Sequence, residues 1–204
     1  MSSTPSFETR DPTAPGFWSE RFKQGFMPWD KGGVPARLLK FVAEAGRPYV
    51  TLIPGCGTGY EVACLSEAGW DVTAIDFSAE AVETAQKTLG TWGGRVVQAD
   101  FFTYEPAVPV ELIYERAFFC ALPPRMRADI VARWAALLPP DGLLAGFFFF
   151  DDAPKGPPFG ISPGELDALL APFFERIADE AVADSLPVFA GKERWQVWRR
   201  RNGA

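Results

Sequence analysis

Residues 51–60 read Thr-Leu-Ile-Pro-Gly-Cys-Gly-Thr-Gly-Tyr, an apolar run ending in glycines at every second position. A short apolar run of this kind is a buried strand. Glycines directly after it let the chain turn sharply and let a ligand approach the backbone. A helix beginning at Tyr60 would aim its first amides at that ligand. The dinucleotide fingerprint, Gly-x-Gly-x-x-Gly, needs its third glycine at position 60; here the third glycine is Gly59 and position 60 is Tyr.

The rest of the chain repeats the alternation of strand and helix. Strands are predicted over residues 49–53, 70–75, 95–98, 110–114, 143–149, 174–182 and 194–200. Helices are predicted over 17–24, 35–45, 60–67, 79–89 and 124–138, with one more starting after Ser162. Ser78 caps the helix from Ala79, and Ser162 with Glu165 forms a capping pattern. Alternating strands and helices make a mostly parallel, doubly wound α/β sheet of seven strands. The last two strands lack a clear intervening helix and suggest an antiparallel end to it. No repeat or linker divides the 204 residues, so one domain is expected. Residues 1–15, rich in Ser, Thr and Pro, read as a flexible leader.

Composition narrows the function. The net charge is −6 with no long basic run, so no nucleic-acid partner is expected. The most apolar stretch, 143–150, is far short of the ~20 residues that span a bilayer, so no membrane partner is expected either. Cys56, Cys64 and Cys120 are too scattered for a disulfide framework or zinc cluster, which suggests a cytoplasmic protein. No signal-peptide pattern opens the chain. There is no histidine, which removes Ser–His and Cys–His nucleophile pairs and His-ligated metal sites; no metal is expected.

Asp76 ends the second strand about 20 residues after the glycine turn, where an acid can grip ribose hydroxyls. It can equally cap the following helix. Asp100, followed by Phe101 and Phe102, ends the third strand; an acceptor and an aromatic face there suit an adenine, or a loop aspartate beside core phenylalanines. Trp18 and Phe22 stand at helical spacing and can be core or part of a lid. Trp29 lies in a Pro/Gly loop, where an indole needs something to bury it.

The spacing of Gly55, Gly57 and Gly59 resembles motif I of S-adenosylmethionine-dependent methyltransferases. Phe17-Trp18-Ser19-Glu20-Arg21-Phe22 with Met27-Pro28-Trp29-Asp30-Lys31-Gly32-Gly33-Val34-Pro35 resembles the opening of the thiopurine S-methyltransferase family, especially its thiol and halide methyltransferase branch. Ile53-Pro54-Gly55-Cys56-Gly57 is similar to that branch's motif I. Leu112 to Leu122, the turn Leu137 to Gly142 and the loop Gly156-Pro157-Pro158-Phe159-Gly160-Ile161-Ser162 resemble its later motifs. The resemblance implies a single Rossmann-like class I methyltransferase domain over residues 16–204, with residues 16–46 as a cover over the cofactor. S-adenosylmethionine would be the cofactor and S-adenosylhomocysteine its product. Trp18, Phe22 and Trp29 would belong to the cover; Gly55 and Gly57 would approach the cofactor's amino-acid part. Asp76 with Phe77 would take the ribose, and Asp100 with Phe101 the adenine. Phe118, Phe119, Pro158 and Phe159 would stand on the substrate side. Arg116 would be the catalytic residue, holding an anionic acceptor or the cofactor's carboxylate. The thiol/halide branch often has Tyr at that position and the thiopurine branch Arg; Phe22 replaces a usual Trp.

The expected activity is methyl transfer to a small thiol, thiopurine or halide-type nucleophile. A sulfonium is already a cationic leaving group, and an anionic acceptor needs no strong base, so alignment and exclusion of water can carry catalysis. An oxygen or nitrogen acceptor would need a base, with Glu115 and Asp151 as candidates. A SAM-binding protein without transferase activity is a further alternative. A monomer with a small-molecule acceptor is expected.

Overall fold

The computed structural model describes residues 6–203; the first five residues of the expected leader, and Ala204, lie outside the described residues. The helices are α1 (Pro15–Lys23), α2 (Ala36–Glu44), α3 (Tyr60–Glu67), α4 (Ala79–Leu89), α5 (Arg127–Leu137) and α6 (Pro163–Leu170). The strands are β1 (Val50–Pro54), β2 (Asp71–Asp76), β3 (Val96–Gln98), β4 (Leu112–Arg116), β5 (Leu143–Phe149), β6 (Phe174–Ala181) and β7 (Glu193–Arg200). All seven predicted strands form, within two residues of the expected bounds.

The strands make one sheet in the order β3-β2-β1-β4-β5-β7-β6. It is parallel except for β7, which runs antiparallel to β5 and β6. Alternation along the central strands feeds two cores. Leu112, Tyr114, Ala145 and Phe147 face a layer holding Leu38 of α2, Leu65 of α3 and Val82 of α4. Ile113, Leu144 and Phe148 face Ile130 and Trp134 of α5 and Leu166 of α6. Large side chains such as Phe148 and Ile113 are fully buried, each contributing on the order of 1.5–3 kcal/mol by leaving water.

One local reading changes. The predicted helix over 124–138 is split: Pro124–Met126 form a 3-10 turn and α5 starts at Arg127. In β7, Trp195, Gln196, Val197 and Trp198 are all buried. Both faces of that strand are covered by helical layers, and Trp198 Nε1 donates to Gln196 Oε1 at 3.0 Å, which satisfies two buried polar groups together.

Caps form where the sequence signals them. Ser78 Oγ accepts from Ala81 N, and Ser162 Oγ from Glu165 N, both at 3.2 Å. α1 packs on α4 at the carboxyl end of the sheet: Ser19 Oγ lies 3.0 Å from Ser78 Oγ, and Lys23 pairs with Glu80 at 2.7 Å. On the far side, Arg37 of α2 makes a forked contact to Glu180 of β6, at 2.9 and 2.7 Å.

Gly59, at φ +75°, is left-handed and closely packed: a Cβ there would meet Ala85 Cβ and Leu89 Cδ1 at 3.3 Å. Gly69, at φ +82°, has open space around it. Both glycine-to-alanine changes should cost about 1–2 kcal/mol for the backbone alone. Urea unfolding should show Gly59→Ala losing more than Gly69→Ala, the difference reporting the α3–α4 contact.

Candidate active site

The sheet order reverses between β1 and β4, and a crevice opens there beyond the carboxyl ends of the strands. The turn after β1 borders it. Gly55, Gly57 and Gly59 all have positive φ, at +58°, +54° and +75°. Gly55 and Gly57 are also approached by rings. A Cβ on Gly55 would stand 2.6 Å from the Phe118 ring, and one on Gly57 3.7 Å from Phe22 Cζ. Gly59 instead lets α4 pack on the start of α3, the job a third glycine does in nucleotide-binding turns.

The crevice is a cavity of about 820 Å³, within the ~300–1,000 Å³ range of small-molecule sites. The glycine turn, Asp76 and Phe77 of the β2 end, and Asp100 and Phe101 after β3 form one wall. Trp18, Phe22 and Trp29 line it as well; the Trp29 ring lies 5.3 Å from Trp18 and 6.3 Å from Phe22. Trp18 is fixed by its Nε1 donating to Pro12 O at 2.8 Å. Arg116, Phe118 and Pro158 line it too, with Val188 and Phe189 from the segment between β6 and β7; the Phe118 ring packs on Phe101, centroids 5.0 Å apart.

Two expected substrate-side residues do not border this cavity. Phe119 is buried and stacks on Trp134, centroids 5.4 Å apart. Glu115 Oε1 accepts from Phe119 N at 2.7 Å, and the 3-10 turn Phe119–Ala121 sends consecutive rings in opposite directions, Phe118 to the cavity and Phe119 to the core. Phe159 borders a separate shallow groove with Pro12, Pro124 and Arg125. Its backbone is held by Phe159 N donating to Cys120 O at 2.6 Å, and Arg127 Nη2 donates to the next carbonyl, Gly160 O.

Asp76 is buried and accepts from Ser78 N at 2.9 Å and Gly57 N at 3.2 Å. It therefore both caps α4 and braces the glycine turn, so the two sequence readings are not exclusive. Burial pushes its carboxyl up to about 6, against the pull of the Ser78, Gly57 and Phe77 amides. A carboxylate has about four lone-pair sites, so it keeps capacity for hydroxyl donors. Asp100 Oδ1 accepts from Phe102 N at 2.9 Å at the cavity edge.

Arg116 ends β4 with its guanidinium carbon 4.2 Å from the Phe147 ring centroid. Its Nη1 is 3.2 Å from Glu193 Oε1, an ion pair without an aligned hydrogen bond. Glu193 is buried and also accepts from Ser185 Oγ at 2.7 Å. Truncating Arg116 would leave that carboxylate buried and uncompensated, so Arg116→Ala must harm folding as well as any chemistry.

Sequence reasoning missed Asp30 and Glu61. Asp30 Oδ2 accepts from Thr58 Oγ1 at 2.6 Å and Oδ1 from Gly32 N at 2.7 Å, fastening the cover loop onto the glycine turn. The Asp-x-Gly spacing of an Asx turn was its local signal. Glu61, second residue of α3, is 9% exposed and borders the cavity; polarity beside a glycine turn was its only signal. Cys56 and Cys120 also line the cavity, and burial pushes both thiols well above the usual range, which makes them poor nucleophiles.

Among the described residues no helix is long and apolar enough to cross a membrane. The fold is that of class I SAM-dependent methyltransferases. The solved structure of 1,6-didemethyltoxoflavin-N1-methyltransferase from Burkholderia thailandensis, with its substrate and S-adenosylhomocysteine bound, is similar with a TM-score of 0.73 at 22% identity, over 97% of this chain and 94% of that one. In sequence, the chain is 35% identical to Probable thiol methyltransferase 2 of Arabidopsis thaliana, over 80% of this chain and 75% of that protein. It is 30% identical to Thiocyanate methyltransferase 1 of Brassica oleracea, over 92% of this chain and 86% of that protein. The profile of the Thiopurine S-methyltransferase (TPMT) family matches residues 13–202, and the chain belongs to that family.

Proposed function

We propose that the protein transfers the methyl group of S-adenosylmethionine to a small, soft nucleophile: a thiol, a thiopurine or a halide-like anion such as thiocyanate. The observation that carries this reading is the pairing of a nucleoside-type wall, made of the glycine turn, Asp76 and Asp100, with an aromatic, histidine-free enclosure. The relatives' names supply the acceptor class. Residues 16–46 act as the cover in this reading, and the protein works as a cytoplasmic monomer on a small-molecule acceptor. Three free cysteines and a net charge of −6 fit that setting.

The residues fit the methyl donor. Asp76 would hold the ribose through its remaining lone pairs, beside Phe77. Asp100 and the buried Phe101 would flank the adenine, and the glycine turn would carry the amino-acid part. When bound, S-adenosylmethionine would supply a methyl group on cationic sulfur, whose carbon–sulfur bond would break as the acceptor–carbon bond forms, the neutral thioether S-adenosylhomocysteine leaving with the electron pair. Trp18, Phe22 and Trp29 exclude water from the reaction and favour a cation through their ring faces. Phe118 and Pro158 present apolar surface to the acceptor. Arg116 keeps positive charge beside the acceptor side, where an anion arrives.

The alternative of an oxygen or nitrogen acceptor rested on Glu115 or Asp151 as base. Neither borders the cavity. Glu115 is 1% exposed and its Oε1 takes the Phe119 amide. Asp151 Oδ2 accepts from Lys192 Nζ at 2.7 Å, which with that pairing holds its carboxyl below the usual range.

The direct test is turnover of labelled S-adenosylmethionine with a thiopurine, an aromatic thiol, bisulfide, thiocyanate and iodide, with S-adenosylhomocysteine binding measured in parallel. Methylation of at least one of these acceptors is expected. Binding without turnover on any of them would leave only a cofactor-binding protein.

Asp76 sets a pH dependence. Hydroxyl donors need its ionised form, and in the free protein that form is lost as pH falls through about 6. S-adenosylhomocysteine affinity measured by calorimetry should therefore drop below about pH 6. Asp76→Asn should weaken binding at pH 8 by about 10- to 100-fold, the size of a hydrogen bond to a charged group, and flatten the acid limb.

Glu115 provides a complementary check. Burial pushes its carboxyl up to about 8 from an ordinary 4.5, so the folded state holds a proton across that window that the unfolded chain releases. The stabilisation is full at pH 4 and is lost as pH rises through about 8. Glu115→Gln should keep its turnover, lose less stability in thermal melts between pH 5 and 9, and exceed the wild type at the alkaline end. Loss of turnover in a folded variant would restore Glu115 as a base.

A further inference from the structure

Glu61 borders the cavity and is 9% exposed. Among the described residues, no other residue donates a hydrogen bond to its carboxylate and no cation forms an ion pair with it. The charged groups near it are Arg116 and Asp30. Arg116 is already engaged by Glu193 at 3.2 Å. Asp30 is satisfied by Thr58 and Gly32. A buried, unpartnered carboxylate is costly, and burial pushes this one above the usual carboxylate range. Where α3 borders the cavity, the Glu61 carboxylate thus offers hydrogen-bond acceptors that no other described residue fills.

The position along the cavity says which part of a ligand meets Glu61. Asp76, at the end of β2, and Glu61, on α3, flank the glycine turn; both act on Cys56 in its middle. A nucleoside ligand whose ribose lies on Asp76 extends its other end across the turn toward Glu61 and Arg116. In S-adenosylmethionine that end is an α-amino acid, with an ammonium group carrying three N–H donors. We infer that Glu61 binds the α-ammonium group of the methyl donor and so fixes the amino-acid end of the cofactor. The inference rests on reading this cavity as the S-adenosylmethionine site. It makes Glu61 a binding residue specific for the zwitterionic tail, separate from the ribose and adenine contacts.

The test is calorimetry on the full chain with S-adenosylhomocysteine and with its desamino analogue, in which hydrogen replaces the ammonium group and the tail carboxylate is kept. The wild type should prefer S-adenosylhomocysteine by about 10- to 100-fold, the range of a charge-assisted hydrogen bond. Glu61→Gln should lose at least about tenfold of that preference while binding the desamino analogue as the wild type does. Glu61→Ala should repeat the loss, so the result does not hang on one variant folding. An unchanged preference, or equal weakening of both ligands, would overturn the inference while leaving the cavity's assignment intact. So would a larger loss for S-adenosylmethionine than for S-adenosylhomocysteine, which would put Glu61 at the sulfonium instead. Failure of the wild type to bind S-adenosylhomocysteine would overturn both readings.

Discussion

The turn from β1 into α3 is the constraint from which the rest of the site follows. Three residues in the left-handed region, at φ between +54° and +75°, bring the chain out of the central strand and straight into a helix. Because they lack side chains, the rings of Phe118 and Phe22 can approach the turn from opposite elements, and α4 can pack against its last residue. Asp76 accepts the Gly57 amide, so the neighbouring strand end is locked to the turn. The crevice is positioned relative to this turn, residues 55–59.

The segment before β1 is held by polar contacts that reach across the molecule. Asp30 takes the Thr58 hydroxyl, Ser19 meets Ser78, and Lys23 pairs with Glu80, so that segment rests on both the glycine turn and α4. Residues ahead of α1 join it: the Glu8 and Thr9 amides donate to the Glu20 carboxylate at 2.8 and 3.1 Å. Most of these groups are partly exposed, so each contact contributes little alone. Together they hold the segment whose Trp18 and Trp29 line the cavity.

The fold was legible because its signals are local. Apolar runs at β1 and β5, the serine caps at Ser78 and Ser162 and the glycines after β1 each announce an element without reference to distant residues. Asp76 was legible by position, at a strand end about 20 residues after the turn, whereas Arg116 was pointed to by the family resemblance. What could not be read was direction. Phe118 and Phe119 are adjacent and chemically alike, and only the 3-10 turn braced by Glu115 decides which one faces the cavity. Phe159 sits in a recognisable loop, but the loop's backbone anchors at Cys120 and Arg127 turn it toward a different groove. Partners far apart in sequence, such as Arg116 with Glu193, leave no local pattern at all, so the cost of removing Arg116 was hidden.

Lys31 follows Trp29 and Asp30 in the cover loop, and its Nζ donates to the backbone oxygen of Asp184 at 2.7 Å as well as to its carboxylate. Asp184 begins the segment that carries Phe189 into the cavity. Ala36 N donates to the same carboxylate at 3.4 Å. Two stretches of chain about 150 residues apart in sequence, both bordering the cavity, are therefore tied to each other at its rim.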